Sequence, residues 1–430
     1  MKKLTLVATA VMGLLSASAA MAQTTVTVYG LLDGGYNHVS GLKNGSFNGL
    51  ASGIMEGSRF GLRGTEDIGG GYKAIFTLEN RVELDTGSVS NRPPSGLQLP
   101  DRLSTASGLG LTGAAAAVAP VVLATLPTTL ATQVLGVNLE GNLFDRQAFA
   151  GLITPVGAFT LGRQYTPGYL TGAVFDASHT QSSLAIGQLA TFPPAFDIRL
   201  SNTLQYRIQT SGITATLMYG AAETSATNPT GRFIGGMMIY KGDGFSVGYG
   251  RNQRKNELGQ KSLENNVFGA SVEAGPGTLY GQYTTIKDEN PAGLSLIGTL
   301  VGSNATLVAG LGGAGAAAVG SAYQAAYTNG LKQDASLAHI GYRLTSGVHT
   351  VVLAYNRLND KRPSNADAAS YGVTYTYSLS KRTNLNAVLT RFDNKDKGQA
   401  TPGGSGFLGG VTAAAGVSST NVALGIRHMF

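Results

Sequence analysis

Hydrophobic and polar residues alternate along most of this chain, in segments of about ten residues separated by turn-forming residues. Within 25–36, for example, Val26 and Leu32 fall on one face, whereas Thr27 and Asp33 fall on the other. Because successive side chains of a strand point to opposite faces, the pattern predicts β-strands with one apolar and one polar face. Such strands can cross a membrane as a closed barrel, with lipid outside and water inside.

The C-terminal segment shows the same alternation most clearly. Val422, Leu424 and Ile426 share one face, and the chain ends on the aromatic Phe430. An aromatic residue at the end of a lipid-facing strand suits the membrane–water interface. The pattern therefore predicts an all-β fold, a transmembrane antiparallel barrel.

We count sixteen strands, an even number that gives a barrel wide enough for an aqueous channel. They are predicted near 24–38, 52–65, 71–84, 143–154, 157–165, 198–210, 213–222, 232–241, 244–253, 264–274, 277–287, 335–345, 348–358, 368–379, 382–392 and 418–430. Short periplasmic turns alternate with long outer loops, of which the longest lie near 85–142, 166–197 and 288–334. An 18-stranded alternative would need two more strands from these loops.

The N-terminus has the pattern of a secretory signal peptide. Lys2 and Lys3 precede an apolar run over 4–15, and Ala20-Met21-Ala22 provides a small-x-small cleavage site. A membrane anchor is the alternative, but the run is shorter than the roughly 20 residues needed to span a bilayer. We therefore expect 1–22 to be cleaved and 23–430 to form a single barrel domain.

Composition limits the chemistry. The chain has no cysteine, which excludes disulfides and thiolate metal sites. Its pI of about 9.4 favours an anionic partner, but the basic residues are scattered singly, which argues against nucleic acid. The five histidines show no metal-binding spacing, and no phosphate loop or nucleophile elbow is present. We expect no cofactor, no metal site and no catalysis.

Two stretches, 106–137 and 293–330, are rich in Ala and Gly. Pro120 and Pro127 should interrupt any helix across the first stretch. We therefore expect an outer loop, or a flap onto a neighbouring subunit, and a second long outer loop at 293–330. Poor order is expected in both.

Several sequence blocks together resemble the general porins of β-proteobacterial outer membranes; they lie at 26–36, 58–80, 159–165, 377–385 and 425–430. The resemblance implies a homotrimer in which each subunit has its own water-filled pore for small hydrophilic solutes and anions. It also implies that the third outer loop, 166–197, folds inward and narrows the pore. Further implied partners are outer-membrane lipid, lipopolysaccharide and the barrel-assembly machinery, for which Phe430 would be the assembly signal.

The resemblance and the strand alternation together predict the pore constriction. Arg59, Arg146 and Arg199 match the basic cluster of anion-selective members, and Glu79 projects into the same lumen. Asp176, within the third loop, is a further acidic candidate. Arginine side chains at a constriction favour anions. The alternative is that these arginines extend to the lipid headgroups.

Other charged residues share the inward alternation, namely Asp33, Lys73, Arg81 and Arg207. The favoured function is an outer-membrane diffusion channel with a mild anion preference. A substrate-specific channel is the alternative, and a surface adhesin or a barrel enzyme is a weaker one. Single-channel conductance would separate the channels from the other two.

Overall fold

A computed structural model describes residues 24–89, 98–130, 142–179, 197–221, 232–403 and 410–430. The predicted signal peptide lies outside the described residues. The described chain forms one antiparallel sheet of seventeen strands. In chain order they are β1 Thr25–Leu42, β2 Gly45–Ser52, β3 Arg59–Gly69, β4 Tyr72–Arg81, β5 Gln147–Thr154, β6 Gly157–Tyr165, β7 Arg199–Thr210, β8 Ile213–Gly220, β9 Phe233–Lys241, β10 Phe245–Lys255, β11 Lys261–Ala274, β12 Gly277–Asp288, β13 Gln333–Ser346, β14 His349–Asp360, β15 Ala368–Ser378, β16 Thr383–Asn394 and β17 Ser419–Met429.

The sheet closes on itself because β1 pairs with β17, with Leu31 opposite Met429. At this seam Gly30 and Phe430 exchange two backbone hydrogen bonds of 3.1 Å each. Strands β2 and β3 both pair with β1, one beyond the other, and so form a single interrupted barrel strand. The barrel therefore has sixteen strands, which confirms the predicted fold class.

The interruption explains the largest departure from the predicted strand bounds, that of the strand predicted near 52–65; the other strands differ from their predicted bounds by up to four residues at an end. The Asp33 carboxylate of β1 accepts hydrogen bonds of 2.9–3.1 Å from the backbone N–H groups of Ile54, Met55 and Glu56. This carboxylate holds a turn between β2 and β3, where Gly53 adopts a positive φ of 75°. The strand therefore begins earlier, at Gly45, and breaks in the middle.

Side-chain exposure follows the predicted alternation. Val26 and Val28 on the outer wall are 58% and 62% exposed, whereas Leu31 and Asp33 on the inner wall are buried. In the last strand Leu424 is 58% exposed on the outer side. An apolar outer wall without a covering layer is the arrangement that lipid stabilises.

Six helices lie in the connections between strands, within the part of the chain that the structure describes. They are α1 Asp101–Ser104, α2 Gly113–Ala117, α3 Ala119–Thr129, α4 Pro167–Val174, α5 Ser295–Gly302 and α6 Ala305–Leu331. Helix α6 is long and apolar enough to cross a membrane by length and composition. However, a stripe that includes Val319, Tyr323 and Tyr327 is buried against other helices.

The two Ala/Gly-rich stretches are thus largely helical where they are described, which corrects the expectation from the prolines. Pro120 lies in the first turn of α3, where its missing N–H would have no helical partner in any case. Pro127 lies in the last turn of the same helix. The two prolines therefore delimit a short helix and do not prevent one.

Candidate functional site: an arginine cluster inside the barrel

The connection after β6 lies inside the barrel over its described part, 166–179. The Gly168 N–H donates to Asn252 Oδ1 on the inner wall of β10 at 2.8 Å, and Asn252 Nδ2 donates to Thr166 Oγ1 at 2.9 Å. Phe175 is fully buried against Met237 and Ile239 of β9. The rest of the predicted constriction loop, up to 196, lies outside the described residues.

Two glycines of the inner wall make room for this inward segment. A Cβ atom at Gly269 would lie 2.1 Å from Phe175 Cδ2, and one at Gly248 would lie 2.7 Å from Phe175 Cε2. The phenyl ring therefore fills a recess that any larger residue at these two positions of β10 and β11 would block. The local sequence thereby sets the depth to which the segment enters the lumen.

Three of the predicted site residues are in direct contact. Glu79 of β4 accepts from Arg146 Nε through Oε1 at 2.7 Å, and its Oε2 lies 3.6 Å from Arg59 Nε. The Glu79 and Arg146 side chains are each 5% exposed. Tyr29 donates its hydroxyl to the second Glu79 oxygen at 3.1 Å. One carboxylate thus orients two arginines.

Arg199 joins this group through Tyr165, which is the last residue of β6. The Tyr165 hydroxyl lies 2.9 Å from Arg146 Nη2 and 2.7 Å from Arg199 Nη2, so both guanidinium groups donate to one oxygen. The Arg199 guanidinium also stacks 4.3 Å above the Tyr165 ring, which itself stacks on Tyr169. Arg199 Nε has no hydrogen-bond partner among the described residues.

Arg427 of the last strand extends the cluster on the other side. Glu56, in the turn between β2 and β3, lies 3.2 Å from Arg59 Nη2 and 3.5 Å from Arg427 Nη1. The turn that Asp33 holds therefore places a second carboxylate between two arginines. We call Arg59, Arg146, Arg199, Arg427, Glu79 and Glu56 the arginine cluster.

Asp176 lies at a different contact. Its carboxylate accepts from the backbone N–H of Ser178 at 2.9 Å and from the Ser178 hydroxyl at 2.7 Å. Arg343 of β13 donates to the carbonyl oxygens of Ala177 and Ser178 at 3.4 and 3.2 Å. The structure therefore places Asp176 where the inward segment meets β13.

The remaining predicted lumen charges are spread along the barrel. Asp33 is buried, and its carboxylate accepts hydrogen bonds from the turn between β2 and β3. Arg81 pairs with Asp145 at 3.1 Å. Lys73 lies 3.8 Å from Asp67, with both side chains about half exposed. Arg207 is exposed.

Sequence reasoning missed Tyr165, Glu56, Arg427 and Arg343. A signal existed for Arg427, since it lies on the polar alternation of the last strand, opposite Ile426. Tyr165 and Glu56 gave no such signal, because each acts at the end of a strand or in a turn. Within the described ranges, His, Asp and Glu side chains do not gather in threes in a way that could hold a metal ion.

Comparisons with known proteins show similarity to outer-membrane porins. The family model described as Gram-negative porin matches residues 8–397. Outer membrane porin protein 32 of Delftia acidovorans is 28% identical over 448 residues and covers all of both chains. A second outer membrane porin protein, from Bordetella pertussis, is 42% identical over 102 residues, which are 20% of this chain and 26% of that one.

Two solved structures illustrate the similarity of fold. The anion-selective porin from Comamonas acidovorans has 25% identity and a TM-score of 0.64, covering 95% of this chain and all of that one. OmpT of Vibrio cholerae, in a trimer form, has 13% identity and a TM-score of 0.55, covering 95% of this chain and 99% of that one. At that identity OmpT bears on the fold alone.

Proposed function

This chain belongs to the Gram-negative porin family of outer-membrane channels, and we propose that its channel prefers anions because of the arginine cluster. The observation that carries the proposal is an excess of cationic groups inside the barrel. Four arginines face two carboxylates in the cluster. Rings of arginine in a narrow pore select anions by charge.

The geometry also explains how the arginines are kept in place. Glu79 and Tyr165 occupy some guanidinium N–H groups and leave others for solutes. Arg199 and Arg427 each retain an Nε donor without a protein partner among the described residues. Both of these Nε atoms are buried, but the Arg59 and Arg427 side chains are each 18% exposed. Part of each side chain is therefore open to water or to a permeating anion, which would replace part of its hydration shell there.

The test is a triple variant, Arg59→Gln, Arg146→Gln and Arg199→Gln, measured by reversal potential in planar bilayers under a KCl gradient. We expect a shift toward cation preference. Arg207→Gln is the control, because Arg207 lies on the same wall eight residues beyond Arg199, roughly 26 Å along the strand. Unchanged selectivity in the triple variant would mean that these arginines do not form the constriction, even if the protein conducts.

Assembly is a separate part of the proposal. We propose a homotrimer that contacts lipopolysaccharide through its outer wall and is recognised through Phe430 by the barrel-assembly machinery. The uncovered apolar wall, with Leu50 68% and Ile234 67% exposed, supports contact with lipid or a second copy. Electrophoretic mobility before and after heating, with native mass spectrometry, would report the trimer. We assign no enzymatic role.

A further inference from the structure

Helices from two different outer connections share one hydrophobic core above the barrel. Helices α1–α3 belong to the connection between β4 and β5, and α5–α6 to that between β12 and β13. The buried core residues include Leu103, Val122, Ile297, Tyr323 and Tyr327. We call these five helices the helical bridge.

Two tyrosines fix the way in which the halves of the bridge meet. The Tyr323 hydroxyl donates to the Ala115 carbonyl at 3.1 Å, and the Tyr327 hydroxyl donates to the Leu103 carbonyl at 2.8 Å. Both rings are fully buried. The two halves therefore pack as one unit, with hydrogen bonds that specify their register.

The strand order shows where the bridge must lie. With β2 and β3 counted as one strand, the two connections leave the ring of sixteen after its third and its eleventh strands. These positions are half a ring apart, so the connections begin on opposite sides of the mouth. At about 4.8 Å per strand, roughly 38 Å of wall separates them on either side. Their shared core therefore spans the outer mouth.

Contacts with the rim hold the bridge over the barrel. Asp101 of α1 pairs with Lys43 beyond β1 at 2.8 Å and accepts from Gln399 beyond β16 at 3.2 Å. Arg102 donates to the carbonyl of Gly330 at 2.7 Å, and Arg362 donates to the Lys332 carbonyl. Burial, together with repulsion from the Arg362 guanidinium, lowers the pKa of Arg102 to about 10. Arg102 is still cationic at neutral pH, because this value lies well above 7.

The bridge is almost free of charge. No Asp, Glu, Lys or Arg occurs over 103–139 or over 291–331. Apart from Asp101 and Arg102 at the rim, its described surface cannot discriminate solutes by sign. The arginine cluster, by contrast, is charged, with four arginines and two carboxylates. The arginine cluster can therefore discriminate solutes by charge, whereas the helical bridge can discriminate them only by size.

We infer that the helical bridge is a size filter over the outer mouth, separate from the charge filter formed by the arginine cluster. It limits the size of hydrophilic solutes that enter, and the inference rests on the proposed channel function. The bridge determines which solutes reach the arginines, and the arginines determine which of these pass readily.

The test replaces 294–331 with a short Gly/Ser linker and compares liposome swelling in neutral sugars of increasing size. We expect the ratio of tetrasaccharide to monosaccharide rates to rise roughly twofold or more, since an obstructing element is removed from the pore mouth. Single-channel conductance should rise as well, whereas the reversal potential in a KCl gradient should stay the same. An unchanged swelling ratio would overturn the inference.

Point variants guard against an effect of the deletion on folding. Tyr327→Asp places a charge in the core of the bridge and should raise the swelling ratio in the same direction. Leu311→Ser is the matched control, because Leu311 is exposed near the kink at Gly312 and should change nothing. Each variant must keep the heat-modifiable mobility of a folded barrel. If Tyr327→Asp behaves like Leu311→Ser in folded protein, the bridge does not restrict the mouth.

The two proposals fail in different ways. Wild-type protein that conducts no ions would contradict the channel itself. Wild-type protein that conducts with anion preference, but whose swelling ratio is insensitive to the bridge, would contradict only the size filter.

Discussion

The Glu79→Gln variant offers a sensitive test of the arginine cluster because it changes one charge and almost no volume. Glu79 lies 2.7 Å from Arg146 Nε and 3.6 Å from Arg59 Nε. Glutamine can still accept a hydrogen bond from Arg146, so the arginines should remain inside the lumen. The variant removes a negative charge that offsets them, and we therefore expect stronger anion preference.

The size of the effect follows from Coulomb's law. For an ion passing about 6 Å from the carboxylate in water, one unit charge is worth about 0.7 kcal/mol, and screening at 0.1 M salt reduces this to about 0.4 kcal/mol. The anion gains what the cation loses, so the ratio of their permeabilities should rise roughly three- to fourfold. At 1 M salt, where the Debye length is about 3 Å, the change should nearly vanish.

The assay is reversal potential in planar bilayers, measured at both salt concentrations on protein that still shows the mobility of a folded barrel. Glu289→Gln is the matched control, since Glu289 lies just beyond β12, pairs with Lys287 and is 65% exposed. It should leave selectivity unchanged. Equal or weaker anion preference for Glu79→Gln at 0.1 M would refute the reasoning that this carboxylate offsets the arginines in the conducting path.

Three further predictions concern single residues. Tyr165→Phe removes the oxygen that accepts from two arginines but keeps the stacked ring, so reversal potentials should show weaker anion preference; an equal effect of Tyr169→Phe would contradict this. Deletion of Phe430 should reduce the heat-modifiable fraction in membranes, because β17 loses its terminal pairing with Gly30; normal insertion would disprove it. Gly30→Val should slow assembly into membranes, since a Cβ there would lie 2.8 Å from the Arg59 carbonyl oxygen and 2.2 Å from Phe430 Cζ. Gly281→Val, with open space around it, should assemble normally.

Much of the barrel was predictable because its determinants are local. A strand between lipid and water must alternate, so Val26, Val28 and Leu424 could be assigned to the outer wall from the sequence. The same alternation placed Arg59 and Glu79 on one wall, where the structure brings them together. The number of strands followed from counting the alternating segments.

The errors have a common cause in contacts between distant segments. The break between β2 and β3 depends on Asp33, which lies on the neighbouring strand. Helix α3 can form because Pro120 and Pro127 fall near its two ends. The second insertion, with α5 and α6, covers the apolar side of this helix. The helix-breaking effect of proline was judged from the local sequence alone, which says nothing about packing against the second insertion.

The arginine cluster likewise has features that the sequence predicts and contacts that only the tertiary structure shows. The sequence determined which residue types face the lumen, because a period of two needs no knowledge of the rest of the chain. Only the tertiary structure decided that Tyr165 joins Arg146 to Arg199, that Asp176 contacts Ser178 near β13, and that the two insertions meet over the mouth. These contacts depend on the register around a closed ring, and ring closure brings together residues that are far apart in the chain.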